Sequence, residues 1–327
     1  AGLGNANDVV GRFFMDHPRI MSASVRFADA WARNKLYDIK FHYQNAAVAA
    51  LGTPISSQFA LTPEVLRRER LLNSRVWFFS TFYGEGSAGA EALIRCKQAL
   101  LKKDQPGWRL RDDVATMAAH PMDTLGFGVT RLFQPRALIT DVKLQAIVEA
   151  APNRDSRVTL SESRDRLGMP RVQVAWRLDS LVQRTFDRTF ALLADELRAS
   201  GVAEVRLDTP LEGRAWPSSL EGTWHHMGTT RMHDSPREGV VDRDCKVHGI
   251  DNLHIAGSSV FPSVGANFPT ITITALALRL AERLAASLGK IDALPASNDG
   301  HANLESSEAK VASLPFAAAT LSRIAKD

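Results

Sequence analysis

The stretch NLHIAGSSVFPSVGANFPTITITALALRLAERLAASLG, residues 252–289, decides the fold that the sequence predicts. At its start, Leu253 and Ile255 alternate with polar neighbours, which is the pattern of a short, half-buried strand. We expect the strand to end at Gly257 and Ser258. A glycine and a small hydroxyl residue at a strand end let a ligand approach the backbone closely.

The second half of this stretch predicts a long helix that begins at Pro269, with Asn267 near the N-cap and Thr270 in the first turn. The helix is apolar nearly all round from Ile271 to Leu278, so it is expected to begin inside the protein and to emerge near its charged end. A buried N-terminus offers free N–H groups and a partial positive charge to an anionic or polar ligand. A cap satisfied by Asn267 alone explains the same residues equally well.

A second segment, TWHHMGTTRM at residues 223–232, cannot form a regular amphipathic element. Gly228 allows unusual dihedral angles or a close backbone approach, and the two threonines after it offer local hydrogen bonds. Histidine is the usual proton carrier near neutral pH, so His225 or His226 is a candidate general base. On the histidine pair alone, a structural loop histidine is the favoured interpretation, because a short motif is weak evidence.

The middle of the chain predicts an antiparallel sheet backed by helices. Three short runs alternate with period two, which indicates a sheet over about residues 141–178 with one solvent-exposed face: 142–152, 156–163 and 171–178. A helix is predicted over about residues 180–199, and helical spacing also appears within residues 62–104. The chain after residue 20 is interpreted as a mixture of helix and loop.

Composition excludes several classes of protein. Of the 327 residues, 45% are hydrophobic and 23% are charged, which is ordinary for globular domains and excludes disordered, collagen-like and coiled-coil chains. A net charge of +4 is too small and too dispersed to indicate a nucleic-acid partner. No apolar run is long enough to predict a membrane span. The two cysteines, Cys96 and Cys245, cannot form a disulfide framework and are interpreted as ordinary buried thiols.

Two other motifs suggest different chemistry. Residues 84–89 spell Gly-x-Gly-x-x-Gly after a strand-like run and before a helix, which is the local context of a nicotinamide dinucleotide site. No second strand ending in an acidic residue follows, and residues 102–116 are interpreted as polar and turn-like. The motif is therefore interpreted as a chance match, and a nicotinamide-dependent dehydrogenase is the alternative enzyme.

A metal site is the third interpretation, since five histidines and one cysteine lie close together in the sequence: His225, His226, His233, His248, His254 and Cys245. Adjacent histidines tend to diverge and no second paired ligand motif appears. The sequence therefore predicts no metal.

The order HHMGTTRM, then GVVDRDCKVHGIDNLHIAGSSVFPS, then GANFPT and a helix closely resembles the C-terminal part of the glucose-methanol-choline (GMC) oxidoreductases. Members of that family oxidise alcohols with FAD. Residues 8–18 and 151–178 also resemble family segments, so the likeness covers most of residues 1–290. The expected fold class is therefore α/β plus α+β: part of an FAD-binding domain joined to a substrate domain built on an antiparallel sheet backed by helices.

The resemblance also implies roles for individual residues. The family's catalytic histidine corresponds to His225, and its second active-site position corresponds to Asn267, which is expected to hold the substrate oxygen. Gly257 and Ser258 are expected along the ribityl-pyrophosphate part of FAD. The helix at Pro269 and Thr270 is expected to point its positive end at the pyrimidine edge of the flavin.

The resemblance divides the chain into four parts. These are a fragment of the FAD-binding domain (1–19), a substrate-binding domain (20–222), the C-terminal part of the FAD-binding domain (223–290) and a flexible tail (291–327). The family's N-terminal Gly-rich segment, which holds the FAD pyrophosphate, has no counterpart before Asp16. The chain is therefore expected to be the C-terminal portion of a longer enzyme that acts on an alcohol or a sugar.

Three further expectations follow. The compartment is cytoplasmic by default, and periplasmic or secreted if an export signal lies in the absent segment. The electron acceptor is not specified by the sequence. A cofactor-free remnant that serves as a binding module is the non-enzyme alternative.

Overall fold

In the computed structural model, residues 2–29, 37–39, 57–101, 109–133 and 135–287 are described. The strands are β1 (Pro18–Phe27), β2 (Ser74–Phe82), β3 (Ile139–Val148), β4 (Arg157–Arg164), β5 (Pro170–Ala175), β6 (Ala203–Arg206) and β7 (Glu221–Gly222). The helices are α1 (Pro63–Glu69), α2 (Ala88–Leu101), α3 (Leu110–Ala119), α4 (Pro121–Phe133), α5 (Ser180–Ala199) and α6 (Thr270–Ser287).

The main sheet has five antiparallel strands in the order β2-β3-β1-β6, with β7 also paired to β1. Strand β1 lies at its centre, so the interpretation of the chain after residue 20 as helix and loop is wrong. A bulge hides the strand from a periodicity search, because the β1–β3 register shifts between Ser22 and Ser24 and Ala23 adopts a φ of 63°. Asp208 Oδ2 holds the bulge by accepting from the Ala23 N–H and the Ser22 hydroxyl, each at 3.0 Å.

The predicted single sheet over residues 141–178 is two sheets in the structure, which corrects the sequence interpretation. Strand β3 belongs to the main sheet, whereas β4 and β5 form a separate two-stranded hairpin. The hairpin is attached to the N-terminal segment instead, where the Val158 N–H donates to the Gly11 carbonyl at 2.7 Å. Alternation predicts that a run is a strand, but it carries no information about which strand it pairs with.

Helix α5 covers one face of the main sheet, which confirms the expected class of an antiparallel sheet backed by helix. The Asp179 carboxylate caps α5 by accepting from the Val182 N–H at 3.2 Å. Val182, Phe186 and Phe190 lie on the buried side of α5 and pack into the same core as the inward-facing residues of the sheet. The helices predicted near residues 62 and 88 are also present, as α1 and α2.

The Gly-x-Gly-x-x-Gly motif serves helix packing. A Cβ on Gly84 would lie 2.7 Å from the Asp123 carbonyl oxygen, and one on Gly89 would overlap the Thr124 hydroxyl, so both glycines let α4 approach closely. The strands on either side of this helical segment, β2 and β3, pair antiparallel. A nicotinamide site needs a parallel βαβ unit, and this segment does not form one.

Helix α3 corrects the interpretation of residues 102–116 as turn-like, because the chain is helical from Leu110. Its acidic first turn suits a helix N-terminus, and the buried Asp113 accepts from the Arg95 guanidinium of α2. Among the helices in the described part of the chain, none is both long enough and apolar enough to cross a bilayer.

A second core joins the N-terminal segment to residues 227–280, with Val9, Met15, Met227, Val260 and Leu280 among its buried members. Leu280, at 7% exposure, is the only buried residue that α6 contributes. The expectation that α6 begins inside the protein is therefore wrong, since Ile271 is 84% exposed. An apolar helix surface shows that a segment favours burial, but not what covers it.

The expected domain division remains a prediction. Its first boundary, after residue 19, lies within β1, and its second, after residue 222, follows β7. The expected tail, residues 291–327, lies outside the described residues.

Candidate active site

The histidine-containing loop, residues 223–232, is held against the N-terminal segment by backbone hydrogen bonds. Met15 and Met227 exchange two of them, at 2.9 and 2.8 Å, and the Gly11 N–H donates to the Thr229 carbonyl at 2.8 Å. Gly228 makes this contact possible. Its φ is 87°, and a Cβ there would overlap the Phe13 carbonyl oxygen and lie 2.6 Å from the Met15 methyl carbon.

A buried carboxylate, Asp16, sets the backbone of this loop. Asp16 is 4% exposed, and its Oδ1 accepts from the N–H groups of Thr223 at 3.2 Å and His225 at 3.1 Å, while Oδ2 accepts from the Trp224 N–H at 3.1 Å. Three successive N–H groups converge on one anion when the middle residue is left-handed, and Trp224 has a φ of 65°. The strained residue is thus explained by the carboxylate that it faces.

The His225 ring is half-buried, and in the described part of the chain both of its polar contacts involve Nδ1. Thr223 Oγ1 lies 3.1 Å from this nitrogen, and Nδ1 of the fully buried His17 lies 3.3 Å from it. Burial lowers the pKa of His225 from its ordinary value, and the Asp16 charge only partly opposes this. His225 is therefore neutral near pH 7 and able to accept a proton.

Asn267 lies on a neighbouring loop that is tied to the main sheet. Its Oδ1 accepts from the Arg75 Nε–H of β2 at 3.0 Å, and the Gly265 N–H donates to Glu149 Oε1 at 3.2 Å. Because Arg75 is only a donor, this contact assigns the carboxamide oxygen and leaves the Asn267 NH₂ group to donate elsewhere. The loop reaches His225 through Phe268, whose ring meets the imidazole edge-on with centroids 5.4 Å apart.

The Gly257-Ser258 segment runs beside the histidine-containing loop. Ser258 Oγ donates to the His226 carbonyl at 2.8 Å, and the Thr230 N–H donates to the Ser259 carbonyl at 2.9 Å. The strand expected to end here is wrong in its extent, because the structure has only an isolated bridge between Lys246 and His254. A short 3₁₀ turn follows at Ser258–Val260.

The start of α6 differs slightly from the prediction. The helix begins at Thr270 rather than Pro269, and the Pro269 carbonyl accepts the first helical bond, from the Ile273 N–H at 2.9 Å. Asn267 precedes this turn, and its side-chain oxygen accepts from Arg75. The roles assigned to Asn267, Pro269 and Thr270 stay predictions.

The histidines considered as metal ligands contact other groups. His233 Nδ1 accepts from the Ser235 N–H at 3.0 Å, and His248 Nε2 lies 2.9 Å from the His233 carbonyl. Within the described ranges, no three histidine, cysteine or acidic residues are grouped so that they could hold a metal ion. Both thiols are buried, and burial raises the pKa of Cys96 and Cys245.

Sequence reasoning missed four residues of this site: Asp16, His17, Thr223 and Arg75. The first two lie within residues 8–18, which were interpreted only as a segment that resembles the family. A signal was present, since an Asp-His-Pro sequence directly before a strand places a carboxylate and an imidazole at a fixed chain position. Their partners, however, lie about two hundred positions away, and no local pattern encodes that separation.

Comparison with known proteins adds an independent finding. A family model described as GMC oxidoreductase matches residues 152–277. The 6'''-hydroxyparomomycin C oxidase of Streptomyces lividus is 32% identical over 151 residues, which is 45% of this chain and 26% of that protein. The fructose dehydrogenase large subunit of Gluconobacter japonicus is 25% identical over 284 residues, which is 86% of this chain and 42% of that protein.

Among solved structures, an FAD-dependent oxidoreductase from Chaetomium thermophilum aligns with a TM-score of 0.43 and 14% identity, over 88% of this chain and 50% of that one. The chain spans less than half the length of the two relatives. Residues 152–277 match the family model described as GMC oxidoreductase, and this match confirms the predicted resemblance to that family. FAD is the cofactor of that family.

Proposed function

We propose that the chain forms the part of an FAD-dependent oxidoreductase that carries the base for oxidation of a CH–OH group, in an alcohol or a sugar. The observation that carries the proposal is the neutral, half-buried His225 beside the Asn267 loop. A neutral imidazole accepts a proton at pH 7, and the Asn267 NH₂ group, for which the described residues offer no partner, can donate to an oxygen. Together they match the two needs of a hydroxyl group that is losing its proton.

The residues around His225 fit a flat, partly anionic cofactor. Gly257 adopts a φ of 147°, and a Cβ there would meet nothing within 4 Å, so the backbone is open to a bound group. Phe268 is 62% exposed and its ring contacts His225, and Trp224 is 83% exposed with its ring beside that of His226. The first turn of α6 adds N–H groups without helical partners, which suit a negative charge.

In the proposed reaction, the substrate hydroxyl donates to the His225 imidazole and accepts from the Asn267 NH₂ group. His225 takes the hydroxyl proton as the C–H bond of the carbinol carbon breaks, and is left as the imidazolium. Bound FAD supplies the acceptor for the hydride. The Asp16 carboxylate lies close enough to stabilise the imidazolium by its negative charge, because its Oδ1 accepts from the backbone N–H of His225.

The names of the relatives suggest where to look for a substrate. One is named as a fructose dehydrogenase large subunit and another as a 6'''-hydroxyparomomycin C oxidase. We therefore propose sugars and polyols as the first compounds to test, with simple alcohols for comparison.

The test compares two adjacent histidines in the longer, FAD-loaded enzyme of which this chain is expected to be the C-terminal portion. Replacing His225 with alanine is expected to slow flavin reduction by about 10²–10⁴-fold, the usual contribution of a general base, while the flavin absorbance of the purified protein is kept. His226→Ala is the matched control, because the His226 side chain is 58% exposed. The polar contacts to Nδ1 of His225 come from Thr223 and His17 and not from His226. Its reduction rate is expected to stay within about threefold of wild type.

Reduction of the His225→Ala protein at the wild-type rate would remove the assigned role. If that longer enzyme stays colourless after FAD titration, with no quenching of its tryptophan fluorescence, the cofactor-free binding module is supported instead; a colourless preparation of this chain alone is also expected when the N-terminal FAD-binding segment is missing.

A further inference from the structure

The protonated nitrogen of His225 is decided by its neighbours. The first neighbour is Thr223, whose Oγ1 lies 2.9 Å from Asp16 Oδ1 and 3.1 Å from His225 Nδ1. Asp16 accepts three backbone N–H bonds, so its oxygens act as acceptors and the Thr223 hydroxyl proton points to Oδ1. Thr223 Oγ1 therefore presents a lone pair to His225 Nδ1.

His17 gives the same answer independently. Its Nε2 lies 3.5 Å from the Val264 carbonyl oxygen, which can only accept, so the His17 proton sits on Nε2. The ring is fully buried and burial lowers the pKa of His17, which keeps it neutral with one proton. Its Nδ1 therefore carries a lone pair, and that lone pair faces His225 Nδ1 at 3.3 Å.

The opposite arrangement leaves buried groups without partners. With a lone pair on His225 Nδ1, Thr223 must turn its proton away from Asp16, or two lone pairs face each other. His17 must then protonate Nδ1, so that its Nε2 lone pair faces the Val264 carbonyl. Each unpaired acceptor in a buried site costs a substantial fraction of a hydrogen bond.

We propose that Asp16, Thr223 and His17 are positioning residues that hold His225 in the tautomer with its proton on Nδ1, so that Nε2 is the basic atom. The catalytic meaning of this arrangement rests on the proposed function, but the tautomer itself does not. A histidine whose orientation is fixed in this way presents one defined lone pair to a substrate, and the wrong tautomer presents a proton instead.

The test reads the tautomer directly, by NMR of the full chain labelled with ¹⁵N in its histidine rings. The His225 signals are identified by their loss in His225→Gln. Above the pKa of His225, we expect a pyrrole-type signal for Nδ1 and a pyridine-type signal for Nε2. The reverse pattern in the wild-type protein overturns the inference.

Matched variants separate positioning from folding. Thr223→Val removes the hydroxyl at nearly constant volume, and is expected to change the ratio of tautomers about fivefold toward Nε2–H, the ratio that corresponds to one net hydrogen bond. Thr223→Ser keeps the hydroxyl and is expected to restore the wild-type shifts. His17→Asn, which keeps an acceptor near the position of Nδ1, is expected to resemble wild type more closely than His17→Leu.

A Thr223→Val protein that folds and keeps the wild-type ratio contradicts the role of Thr223. The measurement needs neither FAD nor turnover, so it fails separately from the proposed function. If His225→Ala reduces flavin normally while Nδ1–H is found, only the proposed function is lost.

Discussion

Replacing Gly228 with alanine tests whether the close approach at this residue holds the histidine-containing loop in place. Two costs add at this position. The φ of 87° disfavours any residue with a Cβ, by about 1–2 kcal/mol. The new methyl group also overlaps the Phe13 carbonyl and crowds the Met15 side chain, and such overpacking costs about 1–3 kcal/mol more.

Gly249 provides a matched control for the first cost. Its φ is 75°, and an added Cβ would meet nothing within 4 Å. Gly249→Ala should therefore lose only the backbone contribution, and the difference between the two variants isolates the steric contribution, about 1–3 kcal/mol. Urea unfolding followed by tryptophan fluorescence measures the free energy of unfolding of each protein, with equal m-values as the check that the denatured states are alike.

Equal losses of stability in Gly228→Ala and Gly249→Ala would refute the reasoning, because they would show that the overlap with Phe13 is relieved at no cost. The NMR signals of His225 should also move in Gly228→Ala and stay in place in Gly249→Ala, since only the first glycine lies at the junction with the N-terminal segment.

Two further predictions concern the buried side chains of Phe186 and His17. Phe186→Ala, at a fully buried position against the main sheet, should lower the free energy of unfolding by about 3–5 kcal/mol in urea titrations. Leu160→Ala, on the exposed hairpin, should change it by less than about 0.5 kcal/mol. Similar losses in the two variants would show that Phe186 does not belong to the core. Burial lowers the pKa of His17 below its ordinary 6.5, so the unfolded chain binds a proton at this residue before the folded one does. The stability that neutral His17 contributes is present above pH 6.5 and is lost as the pH falls through the folded pKa. Unfolding titrations at a series of pH values should therefore show that the free energy of unfolding depends less on pH in His17→Asn than in wild type. The same pH dependence in both proteins would contradict the lowered pKa of His17.

The sequence predicted the elements with strong periodicity and those with clear end signals. Helix α5 is an example, because its Asp179 cap and its apolar spacing both lie within a short stretch. The prediction from sequence failed where a local irregularity interrupted the alternation of side chains, as at the bulge around Ala23. It also failed where the pairing of a strand depends on a partner that is distant in the sequence. The two sheets that share residues 139–175 differ only in which strand lies beside them.

The candidate site shows the same difference between residues with a local sequence signal and residues that depend on a distant partner. His225 and Asn267 were singled out because each lies in a motif that resembles a family pattern, and their roles stay predictions. Thr223 and Arg75 were not found, since a threonine and an arginine occur at many positions and acquire a role only through a neighbour. The exposed start of α6 was mispredicted for a related reason: an apolar surface records a preference for burial and says nothing about the partner that provides it.

The contact between His17 and His225 joins residues 208 positions apart, and this has a consequence for biosynthesis. A growing polypeptide carries His17 through the synthesis of the next 208 residues before its partner imidazole has been made. The site thus belongs to the non-local class of contacts, which form slowly and late. During that interval Asp16 and His17 lack the loop that they contact in the folded chain, so the arrangement around His225 can form only after residues 223–225 have been made.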